Sequence, residues 1–126
     1  MMLVIEGRFE GMNEIVKAAK SHPQVYAKMK RDNTLAVAIT ASMQGLEPVA
    51  CPVIIHFTYY EVNKRRDPDN FVAGAHKFIL DGLVEAKVLP KDGWGEIAGF
   101  TDTWTVDKEK PRVEVVIEEV LTDGSV

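Results

Sequence analysis

The stretch Pro52–Tyr60 most constrains what this chain can fold into. It is rich in β-branched and aromatic side chains, and its first half is apolar on both faces. Such residues favour extended structure, and a strand that is apolar on both sides is typical of the middle of a sheet. We therefore expect a central strand here and interpret the remaining segments as the elements that flank and cover it.

Segments on either side of this strand carry the signals of further helices and strands. His22-Pro23 separates two helices, because the residue before proline avoids helical torsions and proline suits the first helical position. The cluster Asp32-Asn33-Thr34 leaves open whether the second helix is continuous. The predicted elements are, in order, a strand over Leu3–Phe9, a helix over Glu14–Ser21 capped by Asn13, a helix from Pro23 that ends before Gly45, the strand Pro52–Tyr60, a helix over Asn70–Ala86 capped by Asp69, strands over Ile97–Val106 and Val113–Val120, and a frayed tail over Asp123–Val126.

The order β-α-α-β-α-β-β predicts an α/β (α+β) fold with a small mixed sheet of about four strands covered by about three helices. With 126 residues, the chain is expected to form a single domain over residues 1–126. The third helix has the clearest amphipathic pattern. Its inward side is predicted to carry Phe71, Ala75, Phe78, Ile79, Gly82 and Ala86, and its outward line Asn70, Lys77 and Asp81.

The composition is that of an ordinary globular protein, with 46% hydrophobic and 27% charged residues. The single Cys51 excludes an internal disulfide, and its position before an apolar run predicts a buried thiol in a reducing cytoplasm. Met1–Ile5 is too short for a signal peptide, and no apolar run approaches the roughly 20 residues of a bilayer span. We therefore expect a cytoplasmic protein, bacterial or phage-encoded, with no membrane partner.

The charge distribution matters more than the formal net charge of −4. A net negative charge counts against nucleic-acid binding, but a local basic face can still bind phosphate. No acid occurs between Ile15 and Arg31, and a second basic cluster begins at Lys64. The residues predicted to contact DNA are Lys28, Lys30, Arg31, Lys64, Arg65 and Arg66.

Three carboxylates, Asp67, Asp69 and Asp92, flank the third predicted helix and could share one metal ion. Phosphodiester cleavage needs charge neutralisation on the phosphate and an activated water, and Mg²⁺ held by carboxylates supplies both. Lys77 can neutralise further charge, and Asp81 follows it by the four residues that allow an ion pair. Convergence of Asp92 with the other two depends on the fold.

A purely structural interpretation of the same residues is also open. Asp67-Pro68-Asp69-Asn70 is a good turn and helix cap, and Lys77 with Asp81 is an ordinary surface pair. An EF-hand calcium loop is excluded, since Val72 stands where that loop requires glycine. His56 and His76 are expected to be structural, and Trp94 is expected to pack beside its turn rather than to stack on a base.

In their order along the chain, these elements resemble the RusA family of Holliday junction resolvases, small magnesium-dependent endonucleases common in prophages. The resemblance extends over roughly Val53–Val120. It depends on the run Arg66-Asp67-Pro68-Asp69-Asn70, the helix segment Lys77-Phe78-Ile79-Leu80-Asp81-Gly82-Leu83, the acidic loop Leu89-Pro90-Lys91-Asp92, and the closing segment Pro111-Arg112-Val113-Glu114-Val115.

The resemblance implies a homodimer that cuts opposed strands of a four-way DNA junction. It implies that Asp67, Asp69 and Asp92 bind Mg²⁺, with Mn²⁺ as a possible substitute, and that Lys77 is the essential lysine of the catalytic set. Lys77 lies about one helical turn further from the acidic motif than is usual in the family, which is a shift of about 5.4 Å along the axis. Asn70 and Asp81 would support the site, and Arg66 would contact phosphate.

Three functions therefore remain to be compared. The first is a structure-selective DNA endonuclease of recombination and repair. The second is a non-catalytic module of the same descent that binds branched DNA, and the third is an interaction domain that binds no nucleic acid. Magnesium-dependent nicking of a four-way junction separates the first from the second, and salt-sensitive binding of DNA separates the second from the third.

Overall fold

A computed structural model of the chain describes residues 1–121, so the predicted tail over Asp123–Val126 lies outside the described part. Residues 1–121 form four strands and three helices in the order expected from the sequence. The elements are β1 (Met2–Glu6), α1 (Met12–Ser21), α2 (Pro23–Met43), β2 (Val53–Glu61), α3 (Pro68–Glu85), β3 (Ile97–Val106) and β4 (Arg112–Glu119).

The strands form one mixed sheet in the order β1-β4-β2-β3. β4 pairs antiparallel with both β1 and β2, and Val115 lies opposite Leu3 on one side and Phe57 on the other. β2 and β3 are parallel, so α3 is the crossover helix that returns the chain from the end of β2 to the start of β3. The predicted mixed sheet covered by helices is confirmed.

The core lies between the helices and one face of the sheet. Alternate residues of β2 are fully buried, from Val53 through Phe57 to Tyr59. α3 packs on this face through Phe71, whose ring lies 5.2 Å from that of Tyr59. α2 approaches α3 closely at Gly82, where a Cβ atom would lie 2.4 Å from the Val37 side chain. The opposite face of the sheet is only partly buried along β2.

Two helix caps were predicted wrongly, each two residues too late in the chain. α1 begins at Met12 with Gly11 as its cap, and the Gly11 N–H donates to the Glu14 carboxylate instead of Asn13 capping the helix. α3 begins at Pro68 with Asp67 as its cap, because proline suits the first helical position and Asp67 keeps the extended torsions required before it.

The polar cluster within α2 leaves the helix continuous. The Asn33 amide donates to the Met29 carbonyl oxygen one turn earlier and to the Glu10 carboxylate, both at 2.9 Å. Lys28 and Asp32 form an ion pair at 2.6 Å along the exposed side. These contacts give Asp32 and Asn33 partners that are compatible with helical torsions, so the cluster does not break the helix, although among residues 1–121 Thr34 Oγ1 is buried without a partner.

Four side chains lie differently from their predicted environments. Cys51 is exposed in the loop before β2, so the prediction of a buried thiol was wrong. Trp94 is fully exposed, so it does not pack beside its turn within residues 1–121. Lys77 and Asp81 form no ion pair among the described residues: the Lys77 ammonium lies 5.9 Å from the Tyr26 ring centroid, and Asp81 Oδ2 is buried without a partner. Among residues 1–121, no helix is long and apolar enough to cross a bilayer.

Candidate active site at the start of helix α3

A polar cleft of about 400 Å³ opens at the N-terminal end of α3. It lies between the start of α1 and the turn that connects β2 to α3. Its lining includes two of the three predicted metal ligands, and it consists of Met12, Asn13, Glu14, Arg65, Arg66, Asp67, Asp69 and Asn70.

A buried ion pair fixes the turn that carries Asp67. Glu61, at the end of β2, is only 6% exposed. Arg66 donates two hydrogen bonds to the Glu61 carboxylate, one from Nε and one from a terminal nitrogen, each at 2.9 Å. The other terminal nitrogen of Arg66 donates to the Phe9 carbonyl oxygen at 2.7 Å. The guanidinium group is therefore held from both sides, which fixes where α3 can begin.

The N-terminal segment 7–11 packs directly on the first two turns of α3. A Cβ atom on Gly74 would lie 2.1 Å from the Glu10 carbonyl oxygen, so only glycine allows the two backbones to approach this closely. Asn70 lies in the same contact, and its Oδ1 accepts a hydrogen bond from the Asn13 N–H at 2.8 Å. Asn70 therefore joins the start of α3 to the start of α1.

The carboxylates of Asp67 and Asp69 face solvent at the positive end of α3. Both residues are exposed. Among residues 1–121, neither carboxylate takes part in an ion pair, and Asp67 makes no side-chain cap hydrogen bond. The helix dipole and the unpaired backbone N–H groups of the first turn stabilise negative charge here. Two carboxylates without partners, one residue apart, fit a hydrated Mg²⁺ ion, which takes one or two protein carboxylates and keeps several waters.

Asp92 lies at the other end of α3. It belongs to the loop between α3 and β3, and this loop borders the start of β2. Two backbone hydrogen bonds show the contact: the Val53 N–H donates to the Glu96 carbonyl oxygen at 2.8 Å, and the Val49 N–H donates to the Val88 carbonyl oxygen at 3.1 Å. α3 has 18 residues, and at 1.5 Å per residue this corresponds to about 27 Å. Within one chain, Asp92 therefore does not join the other two aspartates.

No set of three His, Cys, Asp or Glu side chains among residues 1–121 is close enough to hold a metal ion. Lys77 lies eight residues after Asp69, which is about 12 Å further along the α3 axis. Its ammonium group lies beside Tyr26 of α2. A single chain thus places Asp67 and Asp69 together and leaves Lys77 and Asp92 at increasing distances along the same helix.

The predicted DNA-contacting residues separate into two groups. Lys64 and Arg65 are exposed in the turn before Asp67, and Arg65 lines the cleft. Lys30 and Arg31 line a shallow depression that also includes Glu85, at the opposite end of α3. Lys28 is paired with Asp32 on the same helix. Only the first group adjoins the two aspartates.

A second groove, of about 690 Å³, lies on the other side of Asp67 and was not predicted from the sequence. Its walls combine Lys64 with the apolar side chains of Pro68, Phe71 and Trp104. The Trp104 ring stands edge-on to Phe71 at 6.1 Å and is half exposed. The groove connects the cleft to the end of β3. The pairing of β3 beside β2, which creates it, is a long-range feature that local patterns do not carry.

A partly buried polar cluster below this groove was also missed. Asp102 on β3 accepts a hydrogen bond from the Tyr59 hydroxyl and lies 2.7 Å from His76 Nε2. Burial, reinforced by the Asp102 carboxylate, raises the pKa of Tyr59 far above its ordinary value. The Tyr59 hydroxyl is therefore held in its neutral form, and His76 lies against the same carboxylate. These three side chains attach β3 to β2 and α3.

No protein-family model matches this chain, and no curated protein matches it. A functional assignment therefore depends on the residues and their geometry. The observations that bear on it are the two aspartates without partners at the start of α3, the basic turn beside them, and the position of Asp92 at the far end of the same helix.

Proposed function

We propose that this protein is a magnesium-dependent, structure-selective endodeoxyribonuclease that cuts four-way DNA junctions as a homodimer. The observation that carries the proposal is the pair Asp67 and Asp69, whose carboxylates face one cleft beside Arg65. Carboxylates without partners and basic side chains in one cleft are what a metal-assisted phosphodiesterase requires. The resemblance to RusA-type resolvases supports the same chemistry.

Asp67 and Asp69 would hold the cation, which when bound supplies charge neutralisation on the phosphate and lowers the pKa of a water. The positive end of α3 favours an anion at the same place, so the backbone of the first turn would help to orient the scissile phosphate. Lys64 and Arg65 would bind the phosphates on either side of it. Arg66, which is held by Glu61 and Phe9, would position Asp67 rather than contact DNA.

Lys77 has a different position from the one implied by the resemblance. About 12 Å of helix separates it from Asp69, which exceeds the distance at which one phosphate could touch both. We therefore assign Lys77 to a flanking phosphate of the same strand, approached along the surface between α2 and α3. The Tyr26 ring would hold its side chain in place through a cation–π contact.

Asp92 would reach the cleft from a second copy of the chain. Within one chain it lies at the far end of α3, so a metal site with all three aspartates requires two subunits. A homodimer with two-fold symmetry would form two such sites, one for each of two opposed strands of a junction. Dimerisation would then be a condition for cleavage as well as for paired nicks.

The separation of Asp92 also favours one alternative. A protein that dimerises in another way, or not at all, would keep Lys64, Arg65 and a two-carboxylate cleft but not a complete metal site. Such a protein would bind branched DNA without cutting it. The two functions differ in one observable: both bind a junction with strong salt dependence, and only the nuclease nicks it in the presence of Mg²⁺.

The test is cleavage of a synthetic four-way junction, with and without Mg²⁺, beside a linear duplex of equal length. We expect nicks in opposed strands of the junction, and none in the duplex. Asp69→Asn removes one ligand charge and should abolish cleavage while retaining junction binding. The matched control is Glu47→Gln, which neutralises an exposed acid in the loop after α2 and should cut like the unmodified protein.

Two outcomes would contradict the proposal. Full cleavage by the Asp69→Asn protein would remove the metal role from the cleft. Salt-sensitive junction binding by the unmodified protein without any nicking, in Mg²⁺ or Mn²⁺, would instead support the branched-DNA-binding module. Mapping the products on a sequencing ladder shows whether the nicks are paired across the junction.

A further inference from the structure

We propose that the groove between the start of α3 and the end of β3 binds one unpaired DNA base, which stacks on the Trp104 ring while Lys64 holds the neighbouring phosphate. This inference rests on the proposed function and deepens it, because it names the part of the substrate that distinguishes a branched DNA from an intact duplex. The groove is formed by residues of one chain and needs no second copy.

The groove lies at the carboxyl ends of two parallel strands. β2 ends at Glu61 and β3 ends at Val106, and both residues line the groove. The crossover helix α3 begins at the same end, where Pro68 and Phe71 form the facing wall. Ligands of open α/β sheets bind at the carboxyl ends of the strands, and a helix N-terminus at that end favours phosphate. The groove is thus placed where a nucleotide is expected to bind.

Trp104 is the aromatic side chain of the groove that solvent still reaches. It lies opposite Tyr59 in the parallel pairing of β2 and β3, so it points to the helix-covered face of the sheet. α3 covers Tyr59 completely but leaves Trp104 51% exposed on the outer strand. The Trp104 ring meets the Phe71 ring at an angle of 79°. It is therefore held by Phe71 on one side and open on the other, as a stacking platform requires.

Lys64 supplies a positive charge at the rim of the groove. The Asn63 side-chain oxygen accepts a hydrogen bond from the Arg65 N–H at 3.0 Å, which holds the turn that carries Lys64. Lys64 is exposed and takes part in no ion pair among residues 1–121, whereas the Arg66 guanidinium is paired with Glu61. A free ammonium group beside an open aromatic ring suits a single-stranded nucleotide, whose phosphate binds the cation and whose base stacks on the ring.

The groove and the cleft of the proposed metal site share a wall. Arg66 and Asp67 line both, so the two cavities lie on either side of the same short turn. A DNA strand whose scissile phosphate lies in the cleft would therefore pass over Asp67 and place its next nucleotide in the groove. This continuity favours a nucleic-acid strand over an apolar peptide as the occupant, because only the strand brings a phosphate to each cavity.

The base that enters the groove must be unpaired. In a duplex, stacked neighbours cover both faces of each base, so no face is free for Trp104. Extracting a base from a duplex costs free energy, and the cost is smallest where pairing is already interrupted. Branch points, flaps and gaps offer such bases. The groove thus gives a physical reason for the structure selectivity of the proposed nuclease, because an intact duplex leaves the contact with Trp104 unmade.

The first test is the fluorescence of Trp104 with single-stranded DNA in the absence of Mg²⁺, so that it does not depend on cleavage. The chain has two tryptophans, and Trp94→Phe leaves Trp104 as the only one. Oligothymidylate should quench its emission through stacking, and a duplex of equal length should not. A strand of equal length with abasic residues keeps the phosphates and lacks the bases, so it should bind without quenching.

Substitutions at Trp104 separate stacking from apolar packing, with affinities measured by the anisotropy of a labelled strand. Trp104→Leu keeps an apolar side chain against Phe71 and should weaken oligothymidylate binding by about tenfold, whereas Trp104→Phe should restore most of the affinity. Binding of the abasic strand should change in neither variant.

Two controls use neighbouring side chains. Phe100→Leu is the matched control, because Phe100 lies on the same strand and the same face as Trp104 but outside the groove, four residues or about 13 Å earlier along β3. It should bind oligothymidylate like the unmodified protein. Lys64→Ala should reduce the slope of log affinity against log salt by about 0.7, which is the loss of one phosphate contact, and should leave the quenching at saturation unchanged.

Unchanged Trp104 emission with a bound single strand would overturn the stacking site, and so would equal losses of affinity in Trp104→Leu for oligothymidylate and the abasic strand. A shift of Trp104 emission with protein concentration, without DNA, would assign the groove to a second copy and also overturn it. Quenching by single strands without nicking of a junction in Mg²⁺ would leave the base-binding groove standing and overturn the proposed function. Junction cleavage of normal rate and selectivity by the Trp104→Leu protein would overturn the role of the groove alone.

Discussion

Replacing Arg66 by alanine should destabilise the fold and leave the intrinsic affinity of the cleft for phosphate unchanged. Arg66 forms three short hydrogen bonds, two to the buried Glu61 carboxylate and one to the Phe9 carbonyl oxygen. Without it, Glu61 keeps only the longer contact to Arg8 at 3.5 Å. The carboxylate is 6% exposed, so solvent does not replace the lost partner. The Arg66→Ala protein therefore contains a buried charge that is almost unpaired.

The cost of this change can be estimated from the burial. Removing one partner of a buried ion pair costs about 3–5 kcal/mol, chiefly because the other charge is left desolvated. A domain of this size has a free energy of unfolding of about 5–15 kcal/mol, so the change removes a large share of it. An entropy of unfolding of about 2.1 cal/mol/K per residue converts the loss into a fall in Tm of about 10–20 °C. Urea unfolding and calorimetry measure both quantities.

A double-mutant cycle separates the ion pair from the rest of the change. Arg66→Met combined with Glu61→Leu removes both charges and should be more stable than Arg66→Met alone, because no buried carboxylate remains without a partner. Lys64→Ala is the control: this residue is exposed in the same turn, and its loss should change the free energy of unfolding by less than about 0.5 kcal/mol.

The salt dependence of DNA binding should distinguish Arg65 from Arg66 in the opposite sense to stability. If Arg65 binds phosphate and Arg66 does not, Arg65→Ala should reduce the slope of log affinity against log salt by about 1, and Arg66→Met should leave it unchanged. An Arg66→Ala protein of normal stability with a reduced salt slope would refute the structural role. Arg66 would then be a DNA ligand, as the resemblance to RusA resolvases implies.

Two further substitutions test how the site is held together. Gly74→Ala introduces a Cβ atom that would clash with the Glu10 carbonyl oxygen. It should lower the free energy of unfolding in urea by about 1–3 kcal/mol, despite the higher helix propensity of alanine. Gly99→Ala is the control and should be nearly neutral, because no atom lies within 4 Å of the added Cβ. Equal effects would contradict the close approach of segment 7–11 to α3. Burial and Asp102 raise the pKa of Tyr59 above 10.0, so its contribution to stability is complete below pH 10 and is lost as the pH rises further. Tyr59→Phe should cost about 1 kcal/mol at pH 7 and show a weaker loss of stability above pH 10, measured by unfolding across that range.

The order of the elements could be predicted because its signals are local. The alternation of large apolar residues in Pro52–Tyr60, the break at Pro23 and the turn before Arg112 each act over a few residues, and β3 has the predicted bounds Ile97–Val106. The cap of α3 was placed two residues too late although Pro68, which suits the first helical position, marks the start of the helix locally. The contacts of Arg66 with Glu61 and Phe9 then hold the turn before it, and these contacts could not be predicted from the sequence.

In the candidate site, too, the positions that depend on local spacing could be predicted, and the position that depends on strand pairing could not. Asp67 and Asp69 are one residue apart, so any helix that starts between them places both carboxylates at one end. Asp92 follows the helix, and its position depends on whether β2 and β3 are parallel. A parallel pair requires the crossover helix to return the chain to the starting end of the sheet, so the loop before β3 lies beside the start of β2. A strand–helix–strand segment with parallel strands therefore separates residues that flank its helix.

This topology has a chemical consequence for the proposed nuclease. A residue at each end of α3 cannot serve one phosphate within a chain, so the proposed metal site with three aspartates requires two copies of the chain. Under the proposed function, dilution to the monomer should therefore abolish cleavage and leave the phosphate contacts of Lys64 and Arg65 in place. A diluted protein that still binds a junction and no longer nicks it is the expected result, and cleavage by a monomer would refute the reasoning.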